Sequence, residues 1–184
     1  MALMSIGGAA AAAGPDTPVT VFVSYDGDVP GSLVTSAMFR ATKVFAATGV
    51  AVHFLPDEKD KAKRHGGVAV AIRIEMDPSG HVSGGALAHA QPYDNSAPIR
   101  IYYSRIRAYN SSVSREALLG YVLAHEVGHV LQGVVRHSEA GVMKAYWSAI
   151  DFDRMRVASL GFDRRDVELM RDGVARLAAA LPTE

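Results

Sequence analysis

The chain has 184 residues, 49% of them hydrophobic and 21% charged, which suits a soluble globular chain with core enough for one domain. Its 19 basic and 19 acidic residues cancel, so no strong field draws nucleic acid or anionic membrane to it, and neither is an expected partner. Cysteine is absent, which excludes a disulfide framework, a cysteine-based zinc finger and any cysteine that could block a metal.

Residues 1–18 are rich in alanine and glycine. They lack the basic start of a secretory signal and are too short and glycine-laden to span a membrane. They read as a disordered N-terminus or the remnant of a signal peptide. Residues 19–25, β-branched and aromatic, predict a first strand. Residues 26–31 have turn chemistry; Asp26 and Asp28 could also hold calcium, but a plain loop accounts for them. From Ser32, the apolar positions Val34, Met38, Ala41, Phe45 and Ala46 recur at helical spacing and predict an amphipathic helix ending at Gly49. A second strand is expected at 50–55. The mixed charges of 56–67 read as a solvated connector with no ligand. Residues 68–76 are nearly continuous in apolar character, so they predict a central third strand. After a turn at 77–80, a fourth strand is expected at 84–90 and a fifth at 98–105, where Ile99, Ile101 and Tyr103 alternate.

A helix follows from about Arg115 to Gln132. Ser112 or Ser114 can cap it, and Glu116 suits the positive end of its dipole. Leu118, Val122, His125, His129 and Gln132 form one stripe, and Gly133 provides the stop. Within the helix, His125, Glu126 and His129 make up H-E-x-x-H. Residues four apart share a helix face, so both imidazoles can aim at one zinc ion, with the Glu126 carboxylate beside it as a proton acceptor. His137, brought back by the turn after Gly133, is a third candidate ligand. Glu139, Asp151 and Asp153 compete for that position. His53, His65, His81 and His89 are assigned no metal. Gly141 leads a turn that carries Met143. Last comes a capping signature: Asp163 caps, Asp166 sits at the third position, and Phe162 can staple to Val167. It opens a helix whose apolar face runs through Val167, Met170, Val174, Leu177 and Leu181, stopped by Pro182.

With these motifs together, the chain resembles the metzincins, zinc endopeptidases with three histidine ligands and a methionine turn beneath the metal. Gly85, Ala86, Leu87, Ala88, His89 and Ala90 are also similar to the L-A-H-A edge strand of matrix metalloproteinases. One departure stands out: metzincins place two residues on either side of the motif glycine, and this chain has three on each side. An added helical residue turns the exit direction by about 100° and lifts it about 1.5 Å. The added residue on the return side can compensate.

The resemblance implies an α+β fold: a mixed five-stranded sheet with a backing helix, an active-site helix and a small C-terminal helical subdomain. It implies one catalytic domain over 19–184, its upper part about 19–133 and its lower part about 134–184. It further implies one catalytic zinc ion on His125, His129 and His137, with Glu126 as general base and Met143 as the floor of the site. Gly85, Ala86, Leu87 and Ala88 would bind an extended peptide, because an edge strand presents unpaired backbone groups. Tyr146 is a candidate for the oxyanion or a fifth ligand, although it lies three residues past the methionine where some metzincins have a tyrosine at two. Trp147 suits core or pocket wall. The expected protein is therefore a monomeric metallopeptidase acting on peptides, secreted or periplasmic, with the cytoplasm as the other option. Two alternatives stay open: a noncatalytic zinc-stabilised peptide-binding module, and a zinc hydrolase of a non-protein amide.

Overall fold

The computed structural model describes residues 17–57, 65, 67–78, 86–90, 98–110 and 112–181. The β-branched run Val19–Tyr25 forms β1. It lies in parallel between β2 (Val52–Pro56) and β3 (Val68–Glu75). β3 pairs in parallel with β5 (Ile99–Tyr102), and β4 (Ala88–His89) closes the sheet antiparallel to β5. The order β2-β1-β3-β5-β4 puts β3 in the middle, as its apolar sequence predicts, and β4 at an edge. Parallel neighbours need a crossover, and α1 (Gly31–Ala46) supplies the one from β1 to β2. Val21 and Val23 of β1, Ile72 and Ile74 of β3 and Ile99 and Ile101 of β5 are buried with Val34, Ala37 and Phe45 of α1.

α3 (Arg115–Gln132) has the predicted bounds because both of its ends carry local signals. The Ser114 hydroxyl accepts from Ala117 N, and Gly133 takes a left-handed φ of 67° that lets its N–H reach the His129 and Val130 carbonyls. Of this helix only Arg115, Glu116 and Glu126 escape burial. Such a helix is the centre of a core, with neighbours on every side.

Three elements differ from the sequence expectation. The fifth strand stops at Tyr102, and the chain passes directly into α2 (Tyr103–Ala108), whose buried Tyr103 and Ile106 lie three apart. The alternation of Ile99, Ile101 and Tyr103 continues into the first residue of that helix and so masks the change of period. α4 (Ala149–Arg156) was not anticipated. Its start is fixed by Asp151, which accepts from Ser148 N at 2.8 Å and Ser148 Oγ at 2.7 Å. The fourth strand is shorter than expected, and residues 79–85, including His81 and Gly85, lie outside the described residues, as do 1–16. Asp26 is occupied by Arg73 and by Met76 N, at 2.8 Å from the latter, so it serves the β1–β3 end as a plain loop residue. Among the described residues no helix is long and apolar enough to cross a membrane.

α5 (Arg164–Ala179) starts as predicted, with Asp163 accepting from Asp166 N at 2.8 Å. Phe162 packs on Phe45, ring centroids 5.0 Å apart. α5 then closes over the C-terminal end of α3. Arg176 donates to the Gln132 carbonyl at 3.0 Å, and Arg171 reaches the Thr48 carbonyl just past α1 at 2.8 Å. The approach is close enough that a Cβ on Gly173 would lie 1.5 Å from the Leu131 oxygen. Gly173→Ala gains about 1 kcal/mol of helix propensity but must push α5 off α3, at a cost of about 3 kcal/mol. The net loss should lower the thermal midpoint by roughly 4–8 °C. A midpoint at or above the wild type in a circular-dichroism melt would contradict this packing.

Candidate metal centre

His125 and His129 lie one turn apart on α3, their ring centroids separated by 4.6 Å. The loop after Gly133 returns His137, whose ring centroid comes within 5.0 Å of His129 and 5.4 Å of His125. One nitrogen from each imidazole lies within 4.8 Å of the others. Among the described residues these three are the one group of histidine or acidic side chains that could hold a metal ion. The competing carboxylates lie outside it. Asp151 is bound to Lys144 and Ser148, Asp153 pairs with Arg156 at 2.9 Å, and Glu139 is exposed. His65 packs edge-on against Phe22, while His53 and His89 are exposed on β2 and β4.

Hydrogen bonds orient the two helical imidazoles. His125 Nδ1 lies 2.8 Å from the Val142 carbonyl and so carries the proton, which leaves the Nε2 lone pair facing inward. His129 Nε2 sits 3.0 Å from that Nε2. His129 Nδ1 is buried with no hydrogen-bond partner, although the Val134 carbonyl is near enough to act on the ring electrostatically. Moving the His129 proton to Nδ1, toward that carbonyl, would aim both Nε2 lone pairs at one point. Two buried imidazoles with convergent nitrogens and one orphaned Nδ1 suit a metal ion better than they suit each other, and three nitrogen donors with no carboxylate in the group suit zinc. Burial pushes the pKa of His125 down to about 4, opposed by the Val142 hydrogen bond and aided by His137. Burial does the same to His129, also to about 4, with His125 and His137 adding to the effect. Both are neutral, ligand-competent bases at pH 7.

Glu126 is the single gap in the buried surface of α3 beyond its first turn, half-buried at a cleft of about 420 Å³. The protein packed around it pushes its carboxyl pKa up to about 8. Ala86, Leu87 and Ala88 line the same cleft, together with Tyr109, Val135 and Trp147. The Leu87 carbonyl accepts from Tyr102 N at 2.9 Å, and Arg105 holds the Ala86 carbonyl at 2.6 Å. Trp147 is a wall residue, edge-on to His125 at 5.8 Å between centroids. Its Nε1 donates to the Val142 carbonyl at 3.2 Å, the same oxygen that orients His125. Tyr146 also lines the cleft but is 89% exposed. Met143 is fully buried, its sulfur 2.6 Å from where a Cβ on Gly128 would stand. Gly141 takes φ 77° to make the preceding turn, where a Cβ would meet the Gly161 oxygen at 2.4 Å. Sequence reading missed the Val142 carbonyl, a backbone atom without any sequence signal, Tyr109 and Val135, which come to the cleft from loops, and Arg105 of α2, which holds the Ala86 carbonyl behind it.

No family model matches the chain, and no curated protein sequence matches it. Among solved structures, the crystal structure of archaemetzincin from Methanopyrus kandleri matches with a TM-score of 0.55 over 88% of this chain and 97% of that one, at 16% identity. The chain thus has an archaemetzincin fold, a mixed five-stranded sheet with helices, and the metzincin resemblance of its motifs holds at the level of fold.

His125, His129 and Glu126 set a pH profile for the metal-free protein, prepared in the presence of a chelator. His125 and His129 fall from 6.5 to about 4 on folding, so between those values the unfolded chain holds two more protons and stability rises with pH. Glu126 rises from 4.5 to about 8, so over that range the native chain holds one more proton and stability falls with pH. Stability from these groups should climb by about 1.4 kcal/mol per pH unit up to about 6.5, then decline at about the same rate to about 8. In Glu126→Gln the alkaline decline should vanish and the acid slope double. Urea titrations of both stripped proteins check this; an alkaline decline of equal slope in both would overturn the assignment to Glu126.

Proposed function

We propose that this chain is a zinc-dependent endopeptidase, with His125, His129 and His137 as the metal ligands and Glu126 as the general base. The observation that carries the reading is three imidazole nitrogens gathered beside a half-buried carboxylate in an open cleft. The likeness of fold to archaemetzincin supports it. A purely structural zinc site is closed by four protein ligands and has no use for a carboxylate beside it, which argues against a noncatalytic module.

Zinc held by three imidazoles acts as a Lewis acid that lowers the pKa of water and polarises a carbonyl. The protein's own groups do the rest. The Val142 carbonyl fixes the tautomer and direction of His125. Met143 packs against Gly128, which lies between the two histidines on α3, and so can serve as the floor of the site. Glu126 accepts the proton of the attacking water and returns it to the leaving amine nitrogen; the cation beside it would offset the desolvation that otherwise keeps this carboxyl protonated. β4, the edge strand among the described residues, offers an extended peptide a backbone to lie along, with Ala86 and Ala88 small enough to let it approach. Tyr146 stands at the rim, where it can close on a bound carbonyl.

The test is zinc content by elemental analysis together with cleavage of a peptide library. Wild type should carry about one zinc per chain and cleave internal peptide bonds. Glu126→Gln should keep the zinc and lose about 10²- to 10⁴-fold in kcat/KM. Zinc absent from both proteins and not taken up on addition would overturn the metal site. Full cleavage by Glu126→Gln would overturn the mechanism, and zinc without peptide cleavage but with turnover of small amides would move the substrate class.

A further inference from the structure

Asp166 is the third residue of α5 and is wholly buried. One of its oxygens, Oδ1, accepts from three side chains: Gln132 Nε2 at 3.2 Å, Arg136 Nη1 at 2.7 Å and Ser138 Oγ at 2.6 Å. Gln132 is the last residue of α3, and Arg136 and Ser138 are the two chain neighbours of His137. A single carboxylate oxygen therefore holds the end of the metal-bearing helix and both sides of the third imidazole.

Three donors on one atom leave the rest of the group poorly served: Asp166 Oδ2 and Gln132 Oε1 are buried without partners. A buried carboxylate with an unmet oxygen is expensive, and helix capping does not require it, since Asp163 already caps Asp166 N. The need lies in the loop. Among the described residues, 134–137 make no backbone–backbone hydrogen bond; the nearest on either side are those of Gly133 N to His129 and Val130 and of Ser138 N to the Met143 carbonyl at 2.8 Å. This return segment is also one residue longer than the metzincin pattern, and His137 at its end is exposed.

We infer that Asp166 is the positioning residue for His137: through Gln132, Arg136 and Ser138 it sets where the third imidazole stands over His125 and His129. The inference rests on the proposed zinc site. A carboxylate suits the task because it accepts from a neutral amide, a hydroxyl and a guanidinium at once, and the charged pair adds strength and direction. Asparagine keeps the shape and one accepting oxygen but loses the charge that holds Arg136.

The experiment measures zinc affinity by chelator competition, the visible spectrum of the cobalt-substituted protein and the melting of the stripped protein. The variants are Asp166→Ala, Asp166→Asn, Ser138→Ala, His137→Ala and the His137→Ala/Asp166→Ala pair. Asp166→Ala should weaken zinc about 10- to 100-fold and shift the cobalt spectrum toward that of His137→Ala. Asp166→Asn should recover part of the loss, and Ser138→Ala should show a smaller loss of the same kind. In the paired variant the Asp166 change should add nothing, because its effect passes through His137. A lowered melting point with unchanged affinity and spectrum would overturn the inference, as would full additivity in the pair. If Asp166→Ala does not fold, unchanged affinity in both Asp166→Asn and Ser138→Ala overturns it. Wild-type affinity in His137→Ala would instead overturn the third-ligand reading, and this inference with it.

Discussion

Removing two imidazoles from water sets the terms for the rest of this structure. α3 is packed on nearly every side, and His125 and His129 are 9% and 7% exposed within it. Burial holds both rings neutral and leaves their inward nitrogens facing each other and the His137 imidazole. A core helix with apolar residues at those two positions would be easier to stabilise. What the histidines give in exchange is a pair of directed lone pairs, aimed by the Val142 carbonyl behind His125 and by the Val134 carbonyl near His129.

The packing that makes this burial severe depends on missing side chains. At Gly120 a Cβ would stand 2.7 Å from the Arg40 Cβ of α1, and at Gly128 it would meet the Met143 sulfur at 2.6 Å. At Gly173 the other helix supplies the gap, letting α5 touch the backbone of α3. Each close approach excludes water from the helix bearing the motif. Glu126 is the opening that remains, so the cleft and the buried core meet at one carboxylate. The same low-polarity surroundings that neutralise the histidines push the Glu126 carboxyl up to about 8, so in the metal-free protein it favours the protonated form at neutral pH.

What could be read from the sequence follows how local each signal is. α3 was legible to the residue because its cap at Ser114, its period and its stop at Gly133 agree with one another. β1 and the start of α5 were legible for the same reason. α2 was hidden because Tyr103 completes both a strand alternation and the first turn of a short helix. α4 carries its capping pair, Ser148 and Asp151, but its eight residues are too few to show a clear apolar period. The convergence of His137 with the other two imidazoles was read from the motif, whereas the groups that orient the site were not. Val142 contributes a carbonyl, and Asp166 presents itself in sequence only as a helix-cap residue. Its partners are 28 to 34 positions away.

The altered spacing of the motif is best understood as two shifts that answer each other. One extra residue before Gly133 carries the helix exit round by about 100°, and in this chain the extra residue, Gln132, ends up as a donor to Asp166. The extra residue on the return side lengthens a segment with no backbone ladder of its own, and its end is tied to the same carboxylate through Arg136 and Ser138. Two insertions sharing one buried acceptor restore the gathering of three nitrogens within 4.8 Å. The three imidazoles are thus gathered through a return segment of altered length, and α5, remote in sequence from the motif, supplies the carboxylate that bonds Gln132, Arg136 and Ser138.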